Sequence, residues 1–261
     1  MTAPRYTLID SVTMLGRNLL HAVRYPIILF MIGVPVVFLL LFVYVFGGTL
    51  GAGLPGGGDT SAYLIYVVPG VVFLAVGSGG QLSAISVAQD MTEGIIARFR
   101  TMDISRGAVL AGHVLGNTLQ LVIAVAVTLA VAVVIGFRSS ATVWGWLGAF
   151  GLVLLTTYAL TWLCVALGMK AKSVESASNL PMPLVLLPFL ASGFVPTESM
   201  STGLQWFAEY QPFTPFIETL RAFLLGTPMG MNGWLSLAWC AVIGLGGWVW
   251  ARRLYERRSL R

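Results

Sequence analysis

Between Ile27 and Trp250 the chain repeats one arrangement, an apolar run followed by a short polar connector. The runs are Ile27–Phe46, Ala62–Val87, Ala108–Phe137, Val143–Leu167, Leu180–Phe194 and Trp234–Trp250. A helix needs about 20 apolar residues to cross a bilayer, and within lipid every backbone polar group must be satisfied internally. A chain patterned this way is therefore expected to stack helices in a membrane. Composition agrees: 57% of the 261 residues are hydrophobic and 10% charged, against about 25% charged in soluble domains. The expected fold is an all-α integral membrane protein with one transmembrane domain over residues 1–261. It divides into an interfacial helix at 1–25, six spans within 27–250 and a tail at 251–261.

The fifth run is the odd one. It is short and carries Pro181, Pro183 and Pro188, each of which removes a backbone donor and disturbs the preceding turn. Such a segment survives only where protein or water satisfies the freed groups, so it is expected to be a bent or broken helix inside the bundle.

Basic residues set the orientation. Arg5, Arg17 and Arg24 precede the first run, Arg98, Arg100 and Arg106 follow the second, and Lys170 and Lys172 follow the fourth. Arg252, Arg253, Arg257, Arg258 and Arg261 close the chain, leaving only Arg138 and Arg221 of the 15 Lys and Arg for the other side. The positive-inside rule then puts both termini in the cytoplasm, as six crossings require. Before the first run, Leu8, Val12, Leu15, Leu19 and Val23 recur at helical steps among Asp10, Arg17 and Arg24. That pattern suits an amphipathic helix lying along the cytoplasmic interface.

The connector from 88 to 107 concentrates charge: Asp90, Glu93, Arg98, Arg100, Asp103 and Arg106. Met91, Ile95, Phe99 and Met102 share one helical face, with Glu93 and Arg100 opposite. The pattern fits either a short amphipathic helix that docks on something soluble or a solvated loop that only retains topology. Ser105 is placed to cap the next span.

Two stretches carry a resemblance. "EGIIARFRTMDISRGAVLAGHVL" is similar to the cytoplasmic segment of ABC type-2 export permeases. "FLASGFVPTESMSTGLQWFAEYQPFTPFIETLRAFLLG" resembles the end of that family, where a Gly-Phe-x-Pro turn precedes two short external helices. In detail the chain resembles the daunorubicin-resistance branch. The resemblance implies a permease of the bacterial cytoplasmic membrane that pairs with a second permease chain, identical or homologous, and with two ATP-binding subunits. It implies that the connector is a coupling helix seated on the ATPase, with Met91, Glu93, Gly94, Ile95, Arg98, Phe99, Arg100 and Met102 as its contact residues. It also implies an external re-entrant region containing Gly193, Pro196, Glu209, Pro212, Glu218 and Arg221. The implied substrate is a drug, antibiotic or lipid-like amphiphile moved outward; polysaccharide or glycolipid export, or a non-transporting membrane subunit, are the alternatives.

Other chemistry is poorly provided for. A phosphate-binding loop needs Gly-Lys-Ser/Thr, and neither Lys170 nor Lys172 follows a glycine. ATP and Mg²⁺ are therefore expected on the partner, with no cofactor or metal held by this chain. A membrane-embedded transferase wants clustered carboxylates for Mg²⁺ and diphosphate, but the ten acidic residues are scattered. The net charge of +5 comes without basic residues interleaved with base-stacking aromatics, which argues against nucleic acid. Within the spans, His113, Asn117 and Gln120 form a stripe continued by Ala124 and Thr128, either an interhelix hydrogen-bonding face or the lining of a pathway. "GSGGQLSAIS" (77–86) reads as a close-packing or subunit surface. Cys164 and Cys240 read as packing residues. Trp206, Trp234, Trp248 and Trp250 suit the membrane interfaces, and the faces Leu204/Phe207/Tyr210 and Phe216/Leu220/Phe223 suit helices lying on the outer leaflet.

Overall fold

A computed structural model describes residues 27–93 and 106–257. The interfacial helix and most of the charged connector lie outside them. The described residues form helices and no strands: α1 (Ile27–Leu41), a π-helical stretch (Phe42–Phe46), α2 (Gly47–Ala52), α3 (Thr60–Thr92), α4 (Arg106–Val134) and α5 (Val143–Lys170). Then come α6 (Val174–Asn179), α7 (Met182–Leu186), a 3-10 turn (Leu187–Leu190), a second (Thr197–Ser199), α8 (Thr202–Tyr210), α9 (Phe213–Leu225) and α10 (Gly230–Arg257). Five helical runs, Leu29–Ala52, Thr60–Thr92, Val114–Val134, Val143–Lys170 and Gly230–Glu256, are long and apolar enough to cross a membrane.

Local chemistry starts and stops these helices. Gly56 and Gly57 take positive φ in the turn before α3. Asp59 then caps α3, accepting from the Ala62 N–H at 3.0 Å. Its carboxyl is held below the usual carboxylate range, first by the Ser61 hydroxyl and then by that N–H. Thr142 caps α5, and Ser173 with Ser176 forms a capping box on α6. Left-handed Gly226 ends α9, a conformation that costs glycine little.

α3 is the axis of the bundle. Val67, Val71, Val72, Phe73 and Val76 are fully buried, and helices pack against it on all sides. Gly80 of α3 approaches the Cys164 sulfur and Gly168 of α5 the Ala84 backbone, while Gly244 and Gly247 of α10 lie against Ala159 and the Leu163 backbone of α5. These contacts make α3, α5 and α10 run in the same direction. α1 and α4 run opposite to α3, as the Gly47–Thr60 and Gly136–Leu64 approaches at one end require, together with the Gly79–Leu121 approach and the packing of Leu82 on the cluster of Met31 and Leu121 at the other. Ile27, Thr92, Arg106, Lys170 and Arg257 thus share one end of the bundle, with the loops before α3, α5 and α10 at the other.

The glycine-rich stretch 77–86 packs within the chain: Gly77 on α7, Gly80 on α5. Both cysteines are buried packing residues, with Cys240 Sγ 3.5 Å from the Thr156 hydroxyl. One expectation needs correction. α8 keeps Leu204, Phe207 and Tyr210 exposed, but in α9 Phe216 and Leu220 are 0% and 2% exposed. α9 is a core helix, its rings against Phe73 at 5.6 Å, because three long helices enclose it.

Candidate functional site: a broken segment held by side chains

After α5 the chain returns along α3 without a continuous helix. Pro181, Pro183 and Pro188 break the ladder, and the segment proceeds as α6, α7, a 3-10 turn and irregular backbone to Val195. It runs antiparallel to α3, touching Gln81 at one end and Tyr63 at the other, a climb of ~27 Å at ~1.5 Å per residue.

A broken ladder leaves carbonyls unpaired, and neighbouring side chains supply the donors. Gln81 Nε2 donates to the Ser178 carbonyl at 2.6 Å, and Gln211 Nε2 to that of Leu187 at 3.0 Å. The Ser192 carbonyl accepts from Tyr66 Oη at 2.8 Å and from Arg221 Nη2 at 2.9 Å. Tyr63 Oη reaches the Phe194 carbonyl at 3.1 Å, and Thr214 Oγ1 accepts from the Ser192 N–H at 3.3 Å. An unmet backbone group in lipid costs several kcal/mol (about 2–7), so these donors are what permits the break.

Two close approaches fix the path. A Cβ on Gly77 would meet the Leu184 carbonyl oxygen at 2.6 Å, and one on Gly70 would meet that of Gly193 at 2.5 Å. Aromatic rings hold the outer flank: Phe189 and Phe194 stack at 4.7 Å, Phe42 lies 4.5 Å from Phe194, and Phe38 sits edge-on to Phe189 at 5.5 Å. Phe42 begins the π-helical stretch of the first crossing, a local widening that recurs at functional positions in other helices.

Arg221 ties the arrangement together. Its side chain is only 13% exposed, pairs with Glu218 on the same helix, and donates to the Tyr66 carbonyl at 3.1 Å. Its guanidinium lies 4.0 Å from the Tyr66 ring centroid. A buried cation is costly unless paired and hydrogen-bonded; here a carboxylate, two carbonyls and a ring face share it. The fork geometry of arginine makes that sharing feasible.

Of the expected external residues, Gly193, Glu218 and Arg221 come together here. Pro196 opens the 3-10 turn and accepts from Ser199, and Pro212 precedes α9. Glu209 stands apart on α8, exposed, accepting from Gln205 at 2.9 Å. Tyr63, Tyr66, Gln81 and Gln211 were not anticipated. Their signal was faint: Gln81 is an amide inside an apolar run, and Tyr63 and Tyr66 share a face of α3.

The stripe on α4 faces the bundle. Asn117 and Gln120 are each 8% exposed, and Thr128 donates to the Ala124 carbonyl at 2.8 Å. Asn117 Nδ2 has no hydrogen-bond partner among the described residues; the His113 side chain is outside them. Met91 lies in the last turns of α3, packed against a cluster that includes Val87, Val114 and Trp162, rather than opening a separate connector helix. Glu93 ends α3 and is exposed. Gly94, Ile95, Arg98, Phe99, Arg100 and Met102 lie outside the described residues. Among the described residues no His, Cys, Asp and Glu cluster has the makings of a metal site.

The family described as ABC-2 type transporter matches residues 11–225. The chain is 30% identical, over 83% of its length and 75% of the relative's, to the daunorubicin resistance ABC transporter permease protein DrrB1 of Streptomyces coeruleorubidus. It is 22% identical, over 66% of its length and 64% of the relative's, to the probable doxorubicin resistance ABC transporter permease protein DrrC of Mycobacterium tuberculosis.

Proposed function

The chain belongs to the ABC-2 type transporter family, and from that premise we propose that it is the permease subunit of an ATP-driven exporter in the bacterial cell membrane. Its substrate is a hydrophobic or amphiphilic drug-like molecule moved outward. The observation that carries this reading is the similarity along most of the chain to a permease named for daunorubicin resistance. The absence of a phosphate-binding loop in the sequence supports an ATPase on a separate polypeptide.

The whole chain is then one transmembrane domain of six crossings, the fifth being the broken one. Support comes from direction: α3, α5 and α10 run the same way, so the chain must return between each pair. α4 makes one return, and the ~27 Å climb of the broken segment is close to the ~30 Å of a hydrocarbon core. Lys170, Lys172, Arg252 and Arg253 lie at the end of the bundle where α3 stops and α4 starts, while Arg138 and Arg221 lie toward the other. That distribution favours a cytoplasmic placement of the first end.

The segment between Glu93 and Arg106 is then the coupling element, engaging one of two ATP-binding subunits in a complex with a second permease chain. Phe99 is its aromatic anchor, and removal of such anchors commonly costs about 2 kcal/mol at interfaces, roughly 30-fold in affinity. Phe99→Ala is expected to lose ATPase copurification and substrate-stimulated hydrolysis with normal membrane expression. Unchanged copurification and hydrolysis in Phe99→Ala would count against coupling, and transport by the purified chain without an ATP-binding subunit would overturn the reading.

A further inference from the structure

α5 and α10 lie side by side and parallel, and a furrow follows their seam on the outer surface of the bundle. Two hollows compose it, of about 370 Å³ and about 520 Å³, which share Leu155 and Leu237 as a common wall. Their lining is almost wholly apolar. Ala159, Cys240, Ala241 and Gly244 keep the second hollow open, and Tyr158, Trp162 and Trp248 wall it. From Leu237 to Trp248 it runs ~16 Å, the depth of about one leaflet of a ~30 Å hydrocarbon core.

Its ends are marked. Trp234 at the mouth of the first hollow is 73% exposed, and Trp248 at the end of the second is 40% exposed. Exposed indoles at both ends of a crossing occur where helices meet lipid headgroups, which makes this face a lipid-contacting one. At the Trp248 end, charge follows at once. The Arg252 guanidinium lies 5.5 Å over the Trp248 ring, while Lys170 Nζ lies 5.5 Å over the Trp250 ring, which two residues of helix carry around to another side of α10. Arg253 is exposed at the same end of α10. The carboxylate in contact is Glu256, 3.4 Å from Arg252 Nε in a pair that is more than half exposed, so the guanidinium keeps donors free for a further anion.

We propose that this furrow is a binding site for an anionic phospholipid, with an acyl chain along Leu237–Trp248 and the phosphate on Arg252. A zwitterionic lipid fills the same hollow but brings no net charge to the guanidinium. The seam then serves as a place where membrane composition acts on the chain, separately from any exported substrate.

The test is native mass spectrometry of the delipidated full chain, titrated with phosphatidylglycerol or phosphatidylcholine of identical acyl chains. One phosphatidylglycerol adduct is expected at concentrations that leave phosphatidylcholine unbound. Arg252→Gln, a change at an exposed position, is expected to weaken that adduct about fivefold, the share of one basic residue near a membrane surface. Ala241→Trp is expected to abolish it by filling the hollow at an exposed position. Equal binding of both lipids, unchanged by Arg252→Gln, overturns the proposal. So does an Ala241→Trp variant that alters the oligomeric state while leaving the adduct intact, because the furrow is then a contact between copies of this chain.

Discussion

Gly70→Ala puts the path of the broken segment to a direct test. A methyl group on Gly70 would lie 2.5 Å from the Gly193 carbonyl oxygen and 2.7 Å from the Gly193 carbonyl carbon, whereas carbon contacts settle near 3.5–4.0 Å. Both partners are backbone, so relief requires the two segments to separate by about 1 Å. That separation also pulls on the Ser192 and Phe194 carbonyls held by Tyr66, Arg221 and Tyr63 at 2.8, 2.9 and 3.1 Å. Overpacking costs about 1–3 kcal/mol and each weakened hydrogen bond about 1, while alanine in a helix returns roughly 0.8–1.0. With one of these bonds lost, the net expectation is a loss of roughly 1–3 kcal/mol, or about 5- to 150-fold in the folded population. Gly246→Ala is the matched control: Gly246 is also in a helix, is exposed, and has nothing within 4 Å of its added methyl. The assay is the monodisperse fraction of detergent-solubilised protein after graded heating, read by fluorescence-detected size exclusion. If Gly70→Ala survives heating as well as Gly246→Ala, the close approach of these backbones is not real and the derived path is wrong.

Arg221→Lys keeps the charge but loses the fork that spans the Ser192 and Tyr66 carbonyls; a loss of about 1–2 kcal/mol is expected in the same heating assay, and parental stability would refute the bracing role. Pro55→Cys and Ser201→Cys, placed in a background lacking Cys164 and Cys240, are expected to react with an impermeant maleimide in intact cells; labelling of Ser173→Cys instead would invert the proposed orientation. Asp59 has a lowered folded pKa, so its capping contribution is complete above the usual carboxylate range and fades as pH falls through the lowered value. Asp59→Asn retains a capping side chain and is expected to flatten the loss of amide-exchange protection at Ala62 and Tyr63 below about pH 4; an unchanged acid loss of protection would refute that cause.

The helices were legible because lipid allows few solutions: long apolar runs had to be helices, and Pro181, Pro183 and Pro188 had to break the run that holds them. What completes the break was not legible. A donor and the carbonyl it serves are far apart in the chain, as with Tyr66 and Ser192 or Gln81 and Ser178, and nothing in either local pattern names the other. Glu218 and Arg221 showed themselves as an i, i+3 pair, which on a surface would contribute only a few tenths of a kcal/mol (about 0.2–0.5). Burial against Tyr66 and Ser192 gives the same pair a bracing role. α9 misled for a related reason: Phe216, Leu220 and Phe223 define an apolar stripe, and a stripe has the same spacing whether it faces lipid or a protein core.

The position of α9 follows from the broken segment. The carbonyls of Leu187 and Ser192 lie beside α3, inside the bundle, and their donors Gln211 and Arg221 sit just before and within α9. A helix floating on the outer leaflet would carry Arg221 away from Ser192 and leave a backbone acceptor unmet in an apolar setting. Delivering the guanidinium therefore draws α9 inward, and Phe213, Phe216, Ile217 and Leu220 bury with it. The sharp stop at Gly226 and the turn through Thr227 and Pro228 then leave just enough chain to begin α10 at the far end of the bundle. The prolines that break the segment after α5 and the arginine that repairs it thus act as one device, and the core location of α9 is its structural consequence.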